Sequence, residues 1–278
     1  MVCLRNAMDE NKIARFYKEG RGKGHGAEYL PWLTIYDVAS HGRSHRVNGC
    51  KTGRIHHLLS DHEWRTFLFL DWCDDVTDIR EQFPLNRDIT RRIAESLGVH
   101  HPTDNSIKTP QVMTTDFLVD VLRGGRTCQE ACFVKPSSEL EKTRVLEKLE
   151  IERSFWAEQN IPLRIFTERE FSPVLTTNLQ WLRTLSIDNQ SEPWAGHHQE
   201  HADAVLRAIP CSSHLHLKKF CFCTDQDLDL EQGSTLALVR HLLTTKAVSV
   251  DLTVPLNDHR PMADFKPRTV MIRQEEVA

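Results

Sequence analysis

Residues 111–135 constrain this chain more than any other stretch. Two runs rich in Val, Phe and Leu, 111–122 and 131–135, flank Gly124-Gly125, whose freedom at positive φ suits a tight turn. They predict the two strands of one hairpin. Asp116 lies in the first run, and Lys135 ends the second just before Pro136. A carboxylate holds a hard cation such as Mg²⁺ through oxygen, while a lysine stabilises phosphate charge or orients an attacking water. The layout is that of a metal-dependent phosphodiesterase, and equally that of any exposed hairpin that carries one Asp and one Lys.

The flanking elements predict a mixed α/β core around this hairpin. Residues 60–72 read as a helix with Ser60 at its N-cap and Glu63 three residues on, the Ser-x-x-Glu capping box. From this local pattern Glu63 is a cap rather than a catalytic group. Residues 76–85 read as a strand closing on Pro84, and residues 90–97 as a helix. Ser138 is placed to cap a long helix over 139–159, with Leu140, Val145, Leu146, Leu149 and Trp156 towards the core. Pairs such as Glu141 with Arg144 and Lys148 with Glu152 fall on its solvated turns. Asn160 ends it, and 161–166 form a strand. A right-handed crossover then sets that strand parallel to the Lys135 strand.

A net charge of -4 argues against gripping nucleic acid by global attraction. The charge is unevenly spread, however. Residues 1–60 carry ten Lys or Arg against five Asp or Glu, so the remainder holds a balance of -9. Two glycine-punctuated basic segments account for the excess. One supplies Arg21 and Lys23, and the other Arg43, Arg46, Lys51, Arg54, His56 and His57. Flexible backbone amides beside cations suit a phosphate backbone, and a solvated basic face is the alternative. Neither segment is a P-loop, because no Gly-Lys-Ser or Gly-Lys-Thr step is present.

The chain length allows two domains with separate cores, and 40% hydrophobic with 27% charged residues fits a globular protein. No apolar run reaches the ~20 residues of a membrane span, and the N-terminus lacks the apolar core of a secretory signal. A cytoplasmic, bacterial address and no membrane partner are expected. None of the eight cysteines forms a Cys-x-x-Cys pair, so reduced thiols are expected. Cys221-Phe222-Cys223, with His214 and His216 nearby, lacks a usual zinc spacing and reads as a buried strand. Beyond a helix at 174–185, residues 186–193 form the best linker. Helices at 199–208 and 234–243 and a strand at 248–254 then suggest a smaller winged-helix-like domain. Its acidic run 225–231 points to protein rather than DNA as the partner.

With these residues laid out, the chain resembles the TnsA family, the restriction-like endonuclease subunits of cut-and-paste transposases. The stretches that carry the resemblance are 18–25 (Lys-Glu-Gly-Arg-Gly-Lys-Gly-His), 31–34, 42–46, 51–61, 78–85 (Asp-Ile-Arg-Glu-Gln-Phe-Pro-Leu), 111–120, 134–136 and 146–150. They span about residues 11–183, and the similarity fades beyond 190. The resemblance implies a restriction-endonuclease-like (PD-(D/E)xK) α/β domain over 1–170 and a winged-helix-like domain over 171–278. It maps the catalytic groups onto Glu63, Asp116 and Lys135. Glu63, Asp116 and the backbone carbonyl of Val134 are the implied ligands of Mg²⁺, with Mn²⁺ as the implied substitute. Hydrolysis of the strand whose 5′ end belongs to the transposon is the implied reaction. The implied partners are transposon-end DNA, the RNase-H-like transposase subunit TnsB and the AAA+ regulator TnsC. One position departs from the family. Two residues before the lysine, where a polar residue is usual, stands Phe133, and Gln129 on the same strand face is four residues away. A catalytically idle adaptor between transposase and regulator is the rival role, and a free-standing nuclease with the same core is another.

Overall fold

The computed structural model describes residues 8–38, 42–104, 107–186 and 198–268. The chain divides into two compact units, Met1–Phe171 and Ser172–Ala278. The expected linker over 186–193 lies almost wholly outside the described residues.

The first unit is built on four strands: β3 (Val76–Pro84), β4 (Thr114–Arg123), β5 (Arg126–Val134) and β6 (Leu163–Phe166), in that spatial order. Preceding them are α1 (Glu10–Lys18) and a small hairpin, β1 (His45–Asn48) with β2 (Ile55–Leu58). The β4–β5 hairpin forms as its sequence predicts, turning at Gly124 (φ 55°) and Gly125 (φ 77°). β6 pairs with β5 in parallel, with Phe133 opposite Ile165. One sheet face carries α2 (Asp61–Trp72), where Phe67 and Leu70 pack on Ile79, Phe117, Val119 and Val134. The other carries α3 (Arg87–Ser96) and α4 (Thr143–Ala157), whose Ile93, Ile151 and Trp156 pack on Leu118 and Ala131. Each large side chain so buried stabilises the fold by about 1.5–3 kcal/mol.

Three local predictions need correction. The long helix of 139–159 is divided: after Pro136 a 3-10 turn spans Ser137–Glu141, Lys142 is extended (ψ 120°), and α4 starts at Thr143 without a side-chain cap. Ser138 caps nothing. Its predicted core face is also rotated, because Leu146 is exposed whereas Glu152 is only 3% exposed. The buried polar group finds a partner in Thr115, which no reading of helix periodicity contains. The end of α4 is as expected, with Asn160 in the left-handed region (φ 58°) and Ile161 N–H bonding back to Trp156 O.

The second unit packs α5 (Pro173–Ser186), α6 (His198–Cys211), α7 (Leu217–Asp227) and α8 (Ser234–Thr244) with a two-residue ribbon, β7 (Val248–Ser249) against β8 (Lys266–Pro267). Residues 221–223 lie in α7 and not in a strand. Cys221 and Phe220 are buried, and burial pushes the Cys221 thiol up to about 12. The strand expected over 248–254 stops at Ser249, because Asn178 of α5 donates to the carbonyls of Leu252 and Val254 and takes their ladder role. Ser234 is the first residue of α8, and Gly233 (φ 96°) occupies the cap. No helix among the described residues is long and apolar enough to cross a membrane.

Candidate active site

A discontinuity in the sheet creates the site. Gln82 sits inside β3 with φ 48°, a conformation that costs a non-glycine residue of order 1 kcal/mol or more. The register runs from Glu81 opposite Phe117 to Phe83 opposite Thr115, without a regular pair between. Faces switch there. Phe117 packs against α2, whereas the Thr115 hydroxyl donates to Glu152 Oε1 (2.8 Å) and accepts from Trp156 Nε1 (2.7 Å) on α4. Asp116 stands at the switch. The β4–β5 ladder also ends beside it, at Phe117 opposite Cys132, so Val134 N–H donates to Asp116 Oδ2 (2.7 Å) in place of a strand carbonyl.

Glu63 reaches the same cleft from the first turn of α2. The Ser60 cap forms: Ser60 Oγ accepts from Glu63 N–H (3.1 Å) and donates to Glu63 Oε1 (3.1 Å). Glu63 Oε2 accepts from Leu59 N–H at 2.8 Å and from Gln82 Nε2 at 3.4 Å. Glu63 is thus a helix-capping residue and a lining residue of the cleft at once. Gln82 also stands beside the Asp116 side chain and works to lower its pKa, and its own Oε1 accepts from Thr114 Oγ1 at 3.0 Å. Lys135, half-buried at the end of β5, is held by its N–H to Phe166 O (3.0 Å). Together these groups line a cleft of ≈ 650 Å³ that also contains Phe133, Lys148 and Arg43.

Burial and crowding raise the three buried acids of the cleft, Glu63, Asp116 and Glu152. Desolvation, reinforced by the Asp116 charge, pushes the Glu63 carboxyl up to about 8 against the pull of the Leu59 N–H and Lys135. Asp116 is raised by burial, against the pull of Lys135 and the Val134 N–H. Glu152 is raised well above the ordinary range, again by burial and then by Asp116. The Asp116 charge in turn raises Lys135, so its ammonium form is secure. Three carboxyl groups around one ammonium thus keep their protons to higher pH than carboxylates in water do. A divalent cation would displace those protons, and the all-oxygen donor set suits a hard one.

Glu152 and Gln82 were not predicted. A charge inside an amphipathic helix reads as solvated, and Gln82 offers only the faint signal of an amide in an otherwise buried strand. The site departs from expectation at Phe133 as well: it is 6% exposed, with Lys135 Nζ 5.7 Å from its ring centroid.

The eight basic residues expected at DNA do not act as one set. Arg21 is used internally, bonding Trp32 O (3.0 Å), Asp37 (2.7 Å) and Glu19 (2.8 Å) over the Phe16 ring. Arg54 forks onto buried Glu81 (2.8 and 2.5 Å) and bonds the carbonyls of Ile79 and Gly26. His56 is fully buried, with Nδ1 2.8 Å from Glu81 and Nε2 2.7 Å from Thr52. Burial pushes Glu81 up, but the hydrogen bonds and charges of Arg54 and His56 outweigh it and bring the carboxyl down to about 2. Lys23 and Arg46 are exposed, and Lys51 is half-buried. Arg43, on the cleft rim, pairs with Asp61 at 3.1 Å. His57 is half-buried, and desolvation lowers its pKa.

Comparison with known proteins bears on both units of the chain. Residues 73–168 match the family described as TnsA-like endonuclease N terminal, and residues 170–252 the one described as TnsA endonuclease C terminal. The chain is 43% identical over 248 residues to the transposon Tn7 transposition protein TnsA of Escherichia coli, covering 87% of this chain and 86% of that protein.

Proposed function

Since the chain belongs to the TnsA family of transposase endonuclease subunits, we propose that it hydrolyses, in a Mg²⁺-dependent reaction, the phosphodiester bond at the 5′ ends of a transposon. One observation carries the reading: Glu63 from a helix start, Asp116 from a strand switch and Lys135 from a strand end line one cleft with their charges coupled. The first unit then corresponds to a restriction-endonuclease-like domain, a mixed sheet between helices with its acids where strands diverge. The second corresponds to a winged-helix-like domain, with α6–α8 as its helices and β7–β8 as a short wing.

The residues fit a Mg²⁺ ion, or Mn²⁺ in its place. Asp116 and Glu63 would hold it, with the Val134 carbonyl beside them and Glu152 supplying the oxygen that Phe133 does not. The chemistry supplied by a bound Mg²⁺ is polarisation of the scissile phosphate and acidification of water. Lys135 Nζ, kept protonated by Asp116, donates to the phosphate oxygen or orients the water that attacks phosphorus. The amide of Gln82 holds Glu63 and Asp116 in register. Arg43, Arg46, Lys23 and Lys51 are the cations open enough to meet the DNA backbone. Arg21, Arg54 and His56 instead serve by bracing the loops that carry those cations.

The idle-adaptor reading draws on Phe133, an apolar residue where a ligand is usual. It is disfavoured by the cost of keeping three buried acids beside a lysine that does no chemistry. As the family resemblance implies, this subunit would act beside a TnsB-type subunit that cuts and joins the other strand and a TnsC-type regulator. Weak DNA binding on its own matches the modest net charge. The test is strand-resolved cleavage of labelled transposon-end DNA by this chain with its transposase partner, using wild type, Lys135→Ala and an EDTA control. Loss of only the 5′-strand cut in the variant is expected. An intact partner cut with no 5′ cut by wild type would leave the adaptor.

A further inference from the structure

Away from the cleft, β3 and β4 place Asp78 directly opposite Asp120. Like charges so paired destabilise a sheet unless they are neutralised. Arg80 ion-pairs with both, through Nη2 to Asp120 Oδ1 and through Nε, 3.4 Å from Asp78 Oδ2. Two carboxylates against one guanidinium leave one negative charge over. The two Oδ1 atoms are saturated by protein donors: Asp78 Oδ1 accepts from Ile79 N–H (2.8 Å) and Gly26 N–H (3.2 Å), and Asp120 Oδ1 from Arg80 and from Gln129 Nε2 (3.1 Å).

The two Oδ2 atoms turn towards His25. Its Nδ1 lies 3.5 Å from Asp78 Oδ2 and 3.8 Å from Asp120 Oδ2, too far for good hydrogen bonds. Asp78, 7% exposed, buries Oδ2 with no hydrogen bond to it, its ion pair with Arg80 Nε standing at 3.4 Å. These separations have a natural explanation. Ligands bound tetrahedrally at ~2.0–2.1 Å lie about 3.3–3.4 Å from one another, so a contraction of these three atoms, which already lie within 4.8 Å of one another, would close them on one ion. His25 is held in place, since Gly26 N–H bonds Asp78 and Gly26 O accepts from Arg54 Nε at 3.1 Å. Its ring is 70% exposed, which leaves a path for an ion and room for a water as fourth ligand.

We propose that His25 Nδ1, Asp78 Oδ2 and Asp120 Oδ2 form a transition-metal site, suited to Zn²⁺ and separate from the hard-cation site of the cleft. Imidazole nitrogen favours Zn²⁺ or Co²⁺ over Mg²⁺, and the divalent charge outweighs the surplus negative charge of the cluster. The ion ties the loop of residues 21–28 to the sheet and so fixes Lys23 relative to β3. Arg80 stays on Asp120 Oδ1 as the group that orients that ligand.

The test uses the full-length chain stripped with EDTA and titrated with Co²⁺, read by visible absorption. Wild type should take up one equivalent with the intense d–d bands of a four-coordinate site, and one equivalent of Zn²⁺ should bleach them. Asp116→Ala should keep those bands. His25→Ala should weaken this uptake by at least about 100-fold, no less than loss of an outer-shell partner costs. Its metal-free melting curve should match wild type, since His25 is exposed. Should that variant fold poorly, Asp120→Asn, which keeps an oxygen for Arg80, should lose the bands as well. Wild type with only weak six-coordinate absorption, or His25→Ala and Asp120→Asn with unchanged bands, would overturn the proposal.

Discussion

Glu63→Gln is expected to stabilise the metal-free protein while removing its activity. A carboxyl group whose pKa is raised by folding favours the fold while protonated. Its contribution is full below the ordinary value of 4.5 and is lost progressively as pH rises to about 8. Each unit of that interval is worth about 1.4 kcal/mol, so at pH 7.5, where the unfolded chain ionises Glu63 and the fold keeps it protonated, the group costs roughly 4 kcal/mol. Asp116 shares the strain and Lys135 relieves part of it, so about half, ~2 kcal/mol, is a fair expectation for one group of a coupled set. Glutamine has no charge to desolvate, and its amide oxygen can still accept from Leu59 N–H, which now bonds Glu63 at 2.8 Å. In a unit of this size ~2 kcal/mol corresponds to about 4–8 °C in melting temperature. Melting curves in EDTA should place the variant that far above wild type at pH 7.5 and level with it at pH 4.5. Mg²⁺ should then raise the wild-type melting temperature and leave the variant's unchanged. A variant that melts below wild type at pH 7.5, or a gain of equal size at both pH values, would refute the burial of a raised Glu63.

Three further outcomes follow from the same geometry. Phe133→Gln should cleave as well as wild type or better at limiting Mg²⁺, with a melting temperature lowered by the buried amide; a large loss of cleavage would mark Phe133 as packing that the site depends on. Gln82→Gly should leave stability within about 1 kcal/mol, because relief at φ 48° offsets the lost bonds, while single-turnover cleavage falls about 10–100-fold; unchanged cleavage would remove Gln82 from the positioning of Glu63 and Asp116. Glu81→Gln should cost about 3–5 kcal/mol in denaturant unfolding at pH 7, since Arg54 and His56 are left buried without their anion. Because folding depresses the Glu81 carboxyl, its contribution is full above pH 4.5 and is lost as pH falls towards 2, so the gap between variant and wild type should close in acid.

The sequence alone determined the parts of this protein whose partners are near in the chain. The Gly124-Gly125 hairpin, the Ser60–Glu63 cap, the Asn160 helix stop and the parallel return of β6 depend on turn chemistry, capping and crossover handedness, which act over a few residues or one crossover. Family resemblance added the pairing of Glu63 with Asp116 and Lys135, which local pattern had left as a cap and a hairpin. Tertiary structure decided where each charge goes. Glu152 is buried because Thr115, 37 residues away, offers a hydroxyl, and Arg54 and His56 leave the basic face because Glu81, 27 and 25 residues away, draws them inward. Cys221 to Cys223 became helix for a related reason, since a short apolar run suits a helix face or a strand until its neighbours are known. A charged or apolar side chain has no fixed address until its desolvation is repaid by a particular partner, and the long-range register of the sheet supplies that partner.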